Sequence, residues 1–330
     1  MYVMRIGLVA LQSEHTPPNG YGAIGRIVAN LVGSLHGRAQ VVPVVAKGST
    51  LSGEGNRFVP FTGRRGTSNP EELRKHLAAL EECDIVHNHD PAAAIWLSNN
   101  LRTPLITTLH TNHLLPVIGE PAFAYISSFQ KNHLGSVGFA GWSPPIVPVK
   151  LGTSRERRNA NLLMLGQVRP EKGVQQACEL AEMSGKRLVL AGPLARRNEA
   201  WFRHEIIGRF GDDRVEWIGE VREPARSHLL ETSSALVFLS DPPEPLGLVM
   251  LEAMSAGTPV LALNRGACSE LVIDGISGFI RDNLEDLAES VSSLTDLAVP
   301  DIQSSVAGFS ATRVAETHIE MYANVISNCT

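Results

Sequence analysis

Short β-branched runs alternate with amphipathic helical stretches along almost the whole chain, the pattern of parallel sheets wrapped by helices. In the first half the alternation predicts strands at Arg5–Leu11, Val41–Ala46, Asp84–His87, Pro104–Leu109 and Phe123–Ile126. Helices are expected at Ala23–Leu35 and Pro70–Glu82, the second with Asn69 as N-cap, Pro70 at its first position and acidic residues in its first turn. Around Trp142–Ala160 the pattern breaks: Pro144, Pro145 and Pro148 precede a polar, basic stretch, Gly152–Asn159, of the kind that joins domains. It then restarts with strands at Asn161–Leu165, Arg187–Ala191, Val215–Ile218, Leu236–Ser240 and Pro259–Leu263. Helices fall at Val174–Ser184, Glu199–Phe210, Ala225–Ser233, Leu248–Ala256, Leu284–Leu297 and Ala311–Ile326. Two α/β domains follow, 1–145 and 146–310, with 311–330 as a C-terminal helix that could return to the first. Ligands of such sheets are expected outside the carboxyl ends of strands, here in a cleft between the domains.

Composition narrows the function. With 43% hydrophobic and 19% charged residues the chain is neither disordered nor fibrous. A net charge of −5 lacks the electrostatic footprint of a nucleic-acid binder. No apolar run reaches the roughly 20 residues of a membrane helix. The first ten residues carry Arg5 inside their apolar stretch, so they read as a strand and not as a signal peptide. Cys83, Cys178, Cys268 and Cys329 are scattered, which indicates neither a disulfide scaffold nor a thiolate metal site. The expectation is a cytoplasmic protein with no nucleic-acid partner and no transmembrane segment, peripheral membrane contact being left open.

Four segments could carry chemistry. Gly20-Tyr21-Gly22-Ala-Ile-Gly25 matches a glycine-rich dinucleotide turn, but it stands about ten residues beyond the strand end and no acidic residue closes the second strand. A flexible loop ending in a helix cap fits equally. Gly166-Gln167-Val-Arg169-Pro-Glu-Lys172-Gly173 leaves a strand and opens a helix; it either neutralises a diphosphate or is a solvated charged turn. Glu244 and Glu252 stand eight apart, and Glu252 is the only charged residue from Leu246 to Leu263. A carboxylate there needs hydrogen bonds, such as those of sugar hydroxyls, unless its face of the helix is wet. Finally, His87-Asn-His89-Asp90 and His110 follow strands. His87 and His89 share a face and raise a metal site, yet no further ligand has a metal spacing, so cleft-lining histidines are the preferred reading. Asp90 would support them or cap the helix after Pro91.

The run Glu244-Pro-Leu246-Gly247-Leu248-Val-Met-Leu-Glu252-Ala-Met-Ser-Ala-Gly-Thr-Pro-Val260 resembles the E-x7-E signature of retaining glycosyltransferases of family 4, whose fold is GT-B. The likeness extends over nearly the whole chain through Gly20–Gly22, Asp84–Asp90, Thr107–Thr111, Gly166–Gly173 and Gly266–Gly278, in that order. It implies two Rossmann-like domains facing across a cleft and metal-independent transfer of a sugar from a nucleoside-diphosphate sugar to an acceptor hydroxyl. The family's commonest donor, uridine diphosphate glucose, sets the expectation of a UDP-hexose as substrate, with no cofactor. The resemblance casts His110, Lys172 and Glu244 as catalytic. Gly22, Gln167, Arg169, Lys172, Leu246, Gly247, Leu248 and Glu252 become donor-binding, with Glu252 on the ribose and Lys172 on the diphosphate. Tyr21, His87, His89 and Asp90 line the acceptor side or the cleft, and no residue is assigned to a metal.

The chain departs from that pattern at three places. Gln167 stands where the family has arginine, and an amide cannot neutralise charge. Ala23 and Ala267 replace glycines, so their turns are expected to differ locally if a positive φ is required. The asparagine-glycine turn before the second domain is absent from Pro144–Gly152. A sugar-nucleotide epimerase or hydrolase on the same fold, or a catalytically silent nucleotide-sugar-binding subunit, are the alternatives.

Overall fold

The computed structural model describes residues 3–51, 56–61, 69–115, 122–147, 159–211 and 213–329. Most of the expected interdomain stretch, 148–158, lies outside them. The chain forms two compact units, one of Met1–Ile146 with Phe309–Thr330 and one of Val147–Gly308.

The first unit is built on seven strands: β1 Arg5–Val9, β2 Gln40–Ala46, β3 Arg57–Val59, β4 Ile85–Asn88, β5 Leu105–Thr108, β6 Phe123–Tyr125 and β7 Phe139–Trp142. All pairings are parallel, in the order β3-β2-β1-β4-β5-β6-β7. The central strand β1 buries Ile6, Leu8 and Val9 completely, as a strand covered on both faces must. The second unit repeats the plan with β8 Leu162–Leu165, β9 Leu188–Ala191, β10 Val215–Trp217, β11 Ala235–Phe238, β12 Val260–Leu263 and β13 Gly278–Arg281. Its order is β10-β9-β8-β11-β12-β13, again parallel. In both sheets the winding reverses beside the first strand, between β1 and β4 and between β8 and β11. Connections there leave on opposite faces, which opens a notch at the carboxyl ends.

Several expected elements differ. The helix expected over Pro70–Glu82 is two short helices, Pro70–Arg74 and Leu77–Glu81. The break at Lys75–His76 brings His76 Nε2 to 3.2 Å from the Phe58 carbonyl of β3. Asn69 holds the N-cap position, but its side chain makes no capping bond. Its backbone N–H instead donates to Gln12 Oε1 at 2.8 Å. Helix Glu199–Phe210 widens to a π-helical stretch over Phe202–Ile207, and Leu284–Leu297 tightens to a 3-10 turn after Ser290.

Helix Ala311–Cys329 belongs to the first unit. Val314, Ala315, His318, Met321, Tyr322 and Val325 form its buried stripe, and its apolar members join Ile6, Leu8, Val28, Leu31 and Leu35 in one core. The polar members continue a buried hydrogen-bond chain whose direction follows from elementary accounting. His318 Nδ1 lies 2.8 Å from the Val314 carbonyl, which only accepts, so Nδ1 carries the proton and Nε2 accepts from Ser143 Oγ at 3.0 Å. Thr108 Oγ1 donates to Ser143 Oγ at 3.1 Å and accepts from His87 Nε2 at 2.6 Å. His87 Nδ1 is then an acceptor for the Tyr322 hydroxyl at 2.7 Å. The chain starts and finishes on the same helix, and each link assumes neutral imidazoles.

Burial makes them so: it lowers His87 and His89 well below the ordinary histidine value and His110 and His318 to about 4. The unfolded chain therefore takes up these protons first as the pH drops. Stability from the four groups is complete above about pH 6.5 and declines below it, by up to about 1.4 kcal/mol per pH unit for each group. Asp90, pushed up to about 6 mainly by desolvation, acts in the opposite sense over part of that window, one group against four. Urea midpoints of the first unit should therefore be markedly lower at about pH 5 than at about pH 7.5; equal midpoints would exclude the neutral chain.

Candidate functional site

In the first unit the loop after β1 and the loop after β4 meet at the notch. Asp90, almost fully buried, accepts from Ala92 N–H at 3.0 Å and from Gln12 N–H at 3.2 Å, so it caps the turn before helix Ala94–Asn100 and ties the two loops together. Gly22 and Gly25 open helix Ala23–Leu35, and the space their missing side chains leave is occupied by this chain's own carboxylate. Glu14 Oε1 accepts from Gly25 N–H at 2.9 Å, and a Cβ built on Gly22 would stand 2.1 Å from it. The anion at this helix N-terminus is therefore Glu14, where the resemblance places a phosphate near Gly22. Tyr21 is half-buried beside it.

His87 spends both ring nitrogens on Tyr322 and Thr108, as derived above, and so does not line an open surface; the cleft-lining assignment is corrected to a structural one. His89 is likewise fully buried; its ring packs against His87 with centroids 4.1 Å apart, and Nδ1 meets His110 Nε2 at 3.0 Å. His110 itself is half-buried. Its loop is gripped by Gln130, whose Nε2 donates to the carbonyls of Leu109 at 2.8 Å and Thr111 at 2.9 Å.

In the second unit the notch between β8 and β11 brings Lys172, Glu244 and Ser240 together. Lys172 Nζ and Ser240 Oγ both donate to Glu244 Oε1. With side chains 18% and 25% exposed, the Lys172–Glu244 pair is partly withdrawn from water, where a charge left alone is costly. Two glycines permit the arrangement. Gly173 ends the turn at φ +75°, and a Cβ there would stand 2.2 Å from the Leu239 carbonyl. Gly266, at φ +62°, lets the Glu244 backbone approach; its Cβ would stand 2.5 Å from the Glu244 carbonyl. Ala267, at φ −85°, is relaxed, and Ala23 carries no positive φ either, so both substitutions fit their turns. Gln167 and Arg169 share the turn with Lys172; Arg169 Nε is 3.9 Å from the Glu171 carboxylate. Leu246 and Gly247 are buried, Leu248 is half-buried, and together they open helix Leu248–Ser255.

Glu252 lies in that helix and pairs with Arg226, whose Nη2 donates to Oε2; the two side chains are 13% and 11% exposed. Glu252 therefore does not face open water. Arg226, Ser240, Gln130 and Glu14 were missed by sequence reasoning: they belong to no motif, and their partners lie 26, 4, 21 and 11 positions away. Burial raises the thiols of Cys83 and Cys268 to about 11 and Cys178 to about 12, so none of these three offers a thiolate near neutral pH.

Residues 153–300 match the family model described as glycosyl transferases group 1. Two parallel-sheet α/β units wound in this order, together with the structural neighbours below, make the fold GT-B. The matched stretch lies within the second unit. The crystal structure of AviGT4, a glycosyltransferase involved in avilamycin A biosynthesis, superposes with a TM-score of 0.76 at 27% identity, covering 98% of each chain. Anabaena HepE in complex with UDP and glucose superposes with a TM-score of 0.74 at 17% identity, over 97% of this chain and 99% of that one. The lipopolysaccharide 1,2-N-acetylglucosaminetransferase of Salmonella typhimurium is 32% identical over 47% of this chain, and the match spans only 41% of that relative's length. Among the described residues no helix is long and apolar enough to cross a membrane.

Gly173→Ala should lower stability by at least about 1–2 kcal/mol, the cost of a left-handed non-glycine residue, with the carbonyl contact adding to it. A thermal-melt or urea measurement within about 0.5 kcal/mol of wild type would show that the Lys172 turn does not need this close approach.

Proposed function

We propose that the chain is a retaining glycosyltransferase that moves a hexose from a nucleoside-diphosphate sugar to an acceptor hydroxyl, without a metal or other cofactor, in the cytoplasm. The observation that carries this reading is the Lys172–Glu244–Ser240 cluster at the β8/β11 notch, a partly buried cation held beside a helix-opening loop. The match of 153–300 to group 1 glycosyl transferases and the neighbour's UDP complex support it.

Cleavage of the donor builds negative charge on the departing diphosphate, and preorganised donors aimed at that charge lower the barrier. Lys172 is the proposed cation. Without ligand it is neutralised by Glu244, so donor binding exchanges one anion for another and frees Glu244 for the sugar. Glu252, oriented by Arg226, accepts hydrogen bonds from the ribose hydroxyls. Backbone N–H groups of Leu246–Leu248 face the diphosphate-proximal oxygens. In the front-face path that the resemblance implies, the acceptor hydroxyl attacks the face the diphosphate leaves, and a leaving-group oxygen takes its proton. Gln167, which brings no charge, favours the second reading, a silent nucleotide-sugar-binding subunit.

A thermal-shift screen of nucleotide sugars should single out one donor, since a ligand bound only by the folded state raises the melting temperature. Lys172→Ala should cut turnover of that donor by about a hundredfold or more. Unchanged turnover would remove Lys172 from the diphosphate. Glu252→Ala should weaken nucleotide binding by about ten- to a hundredfold in calorimetry, the worth of hydrogen bonds to a charged acceptor. Wild-type affinity would refute the ribose role, and binding without transfer to any acceptor would favour the silent subunit.

A further inference from the structure

The pair His89–His110 is joined through Nδ1 of the first and Nε2 of the second at 3.0 Å, and the remaining nitrogen of each decides which one donates. His89 Nε2 is buried and has no hydrogen-bond partner among the described residues. Were His110 the donor, the proton of His89 would have to sit on Nε2, leaving a buried N–H without an acceptor. Were His89 the donor, its Nε2 would be a buried lone pair, and orphaned acceptors are better tolerated than orphaned N–H groups. The second arrangement wins. His110 Nε2 then accepts, so its own proton is on Nδ1, which has no hydrogen-bond partner among the described residues. Both rings are neutral because both are desolvated.

We propose that His89 is a positioning residue that fixes His110 as its Nδ1–H tautomer, so that His110 presents a neutral N–H donor to a ligand oxygen, of the class of a sugar hydroxyl. The choice of ligand rests on the function proposed above; the tautomer does not. Two devices thus act on one residue. Gln130 holds the backbone on either side of His110, and His89 sets which edge of the ring donates. A donor of this kind orients a hydroxyl and exchanges no proton at neutral pH, which separates it from a general base.

The test is a long-range proton–nitrogen correlation spectrum of the uniformly labelled full chain, with the His110 ring assigned by its loss in His110→Gln. The expected result is an unprotonated Nε2 on His110; a protonated Nε2 overturns the proposal. In His89→Asn the side-chain amide puts an N–H where Nδ1–H stood, so the His110 tautomer should persist and transfer should stay within about threefold of wild type. In His89→Phe, which keeps the ring and loses the donor, the tautomer bias should vanish and kcat/KM should fall about ten- to a hundredfold. Equal activity of the two variants, both folded, also overturns it. If the wild-type chain transfers no sugar at all, the proposed function fails while the spectrum still decides the tautomer.

Discussion

Parallel strands send all their carboxyl ends to one side of a sheet, and where the winding reverses two neighbouring loops are forced apart. That constraint organises this chain twice. At β1/β4 it gathers Gln12, Glu14, Gly22 and Asp90, and at β8/β11 it gathers Lys172, Ser240 and Glu244. Neither constellation could be assembled from neighbours in sequence. The sheets are the means by which a lysine and a glutamate 72 positions apart come to share a proton donor's distance.

In both notches the carboxylates find partners within the chain. Glu14 stands at a helix N-terminus, Glu244 neutralises Lys172, and Arg226 neutralises Glu252. A half-buried charge without a partner carries a desolvation cost of several kcal/mol, so a site meant to receive a charged ligand is easier to fold when an intramolecular surrogate fills the same electrostatic role. Such a site binds by exchange of partners, and its selectivity depends on which ligand outcompetes the resident group.

Much of the architecture was legible because burial on both faces imposes continuous apolar runs. β1, β4, β8, β9, β11 and β12 can be read from such runs, and the buried stripe of Ala311–Cys329 from its spacing. β3, β7 and β13 could not: they are three or four residues long at or near sheet edges, where pairing and not composition makes the strand. The glycines at 173 and 266 and the lysine at 172 announced a turn built for close approach. The groups that hold the two glutamates did not, because Ser240 and Arg226 belong to no motif. The histidines were visible as a cluster, but their division of labour was not. His87 proved structural because Tyr322, 235 positions away, claims one of its nitrogens.

The hydrogen-bond chain that leaves Tyr322 and returns to Val314 has a consequence for how the protein is made. A ribosome delivers the sheet of the first unit, then all of the second unit, and only afterwards the helix that supplies both termini of that chain. Until then His87 lacks Tyr322 and Ser143 lacks His318, so the first unit stays incompletely closed while the whole of its successor is already synthesised. The unit begun first is thus the one completed last, and removal of residues 311–329 would injure the unit most distant from them in the message.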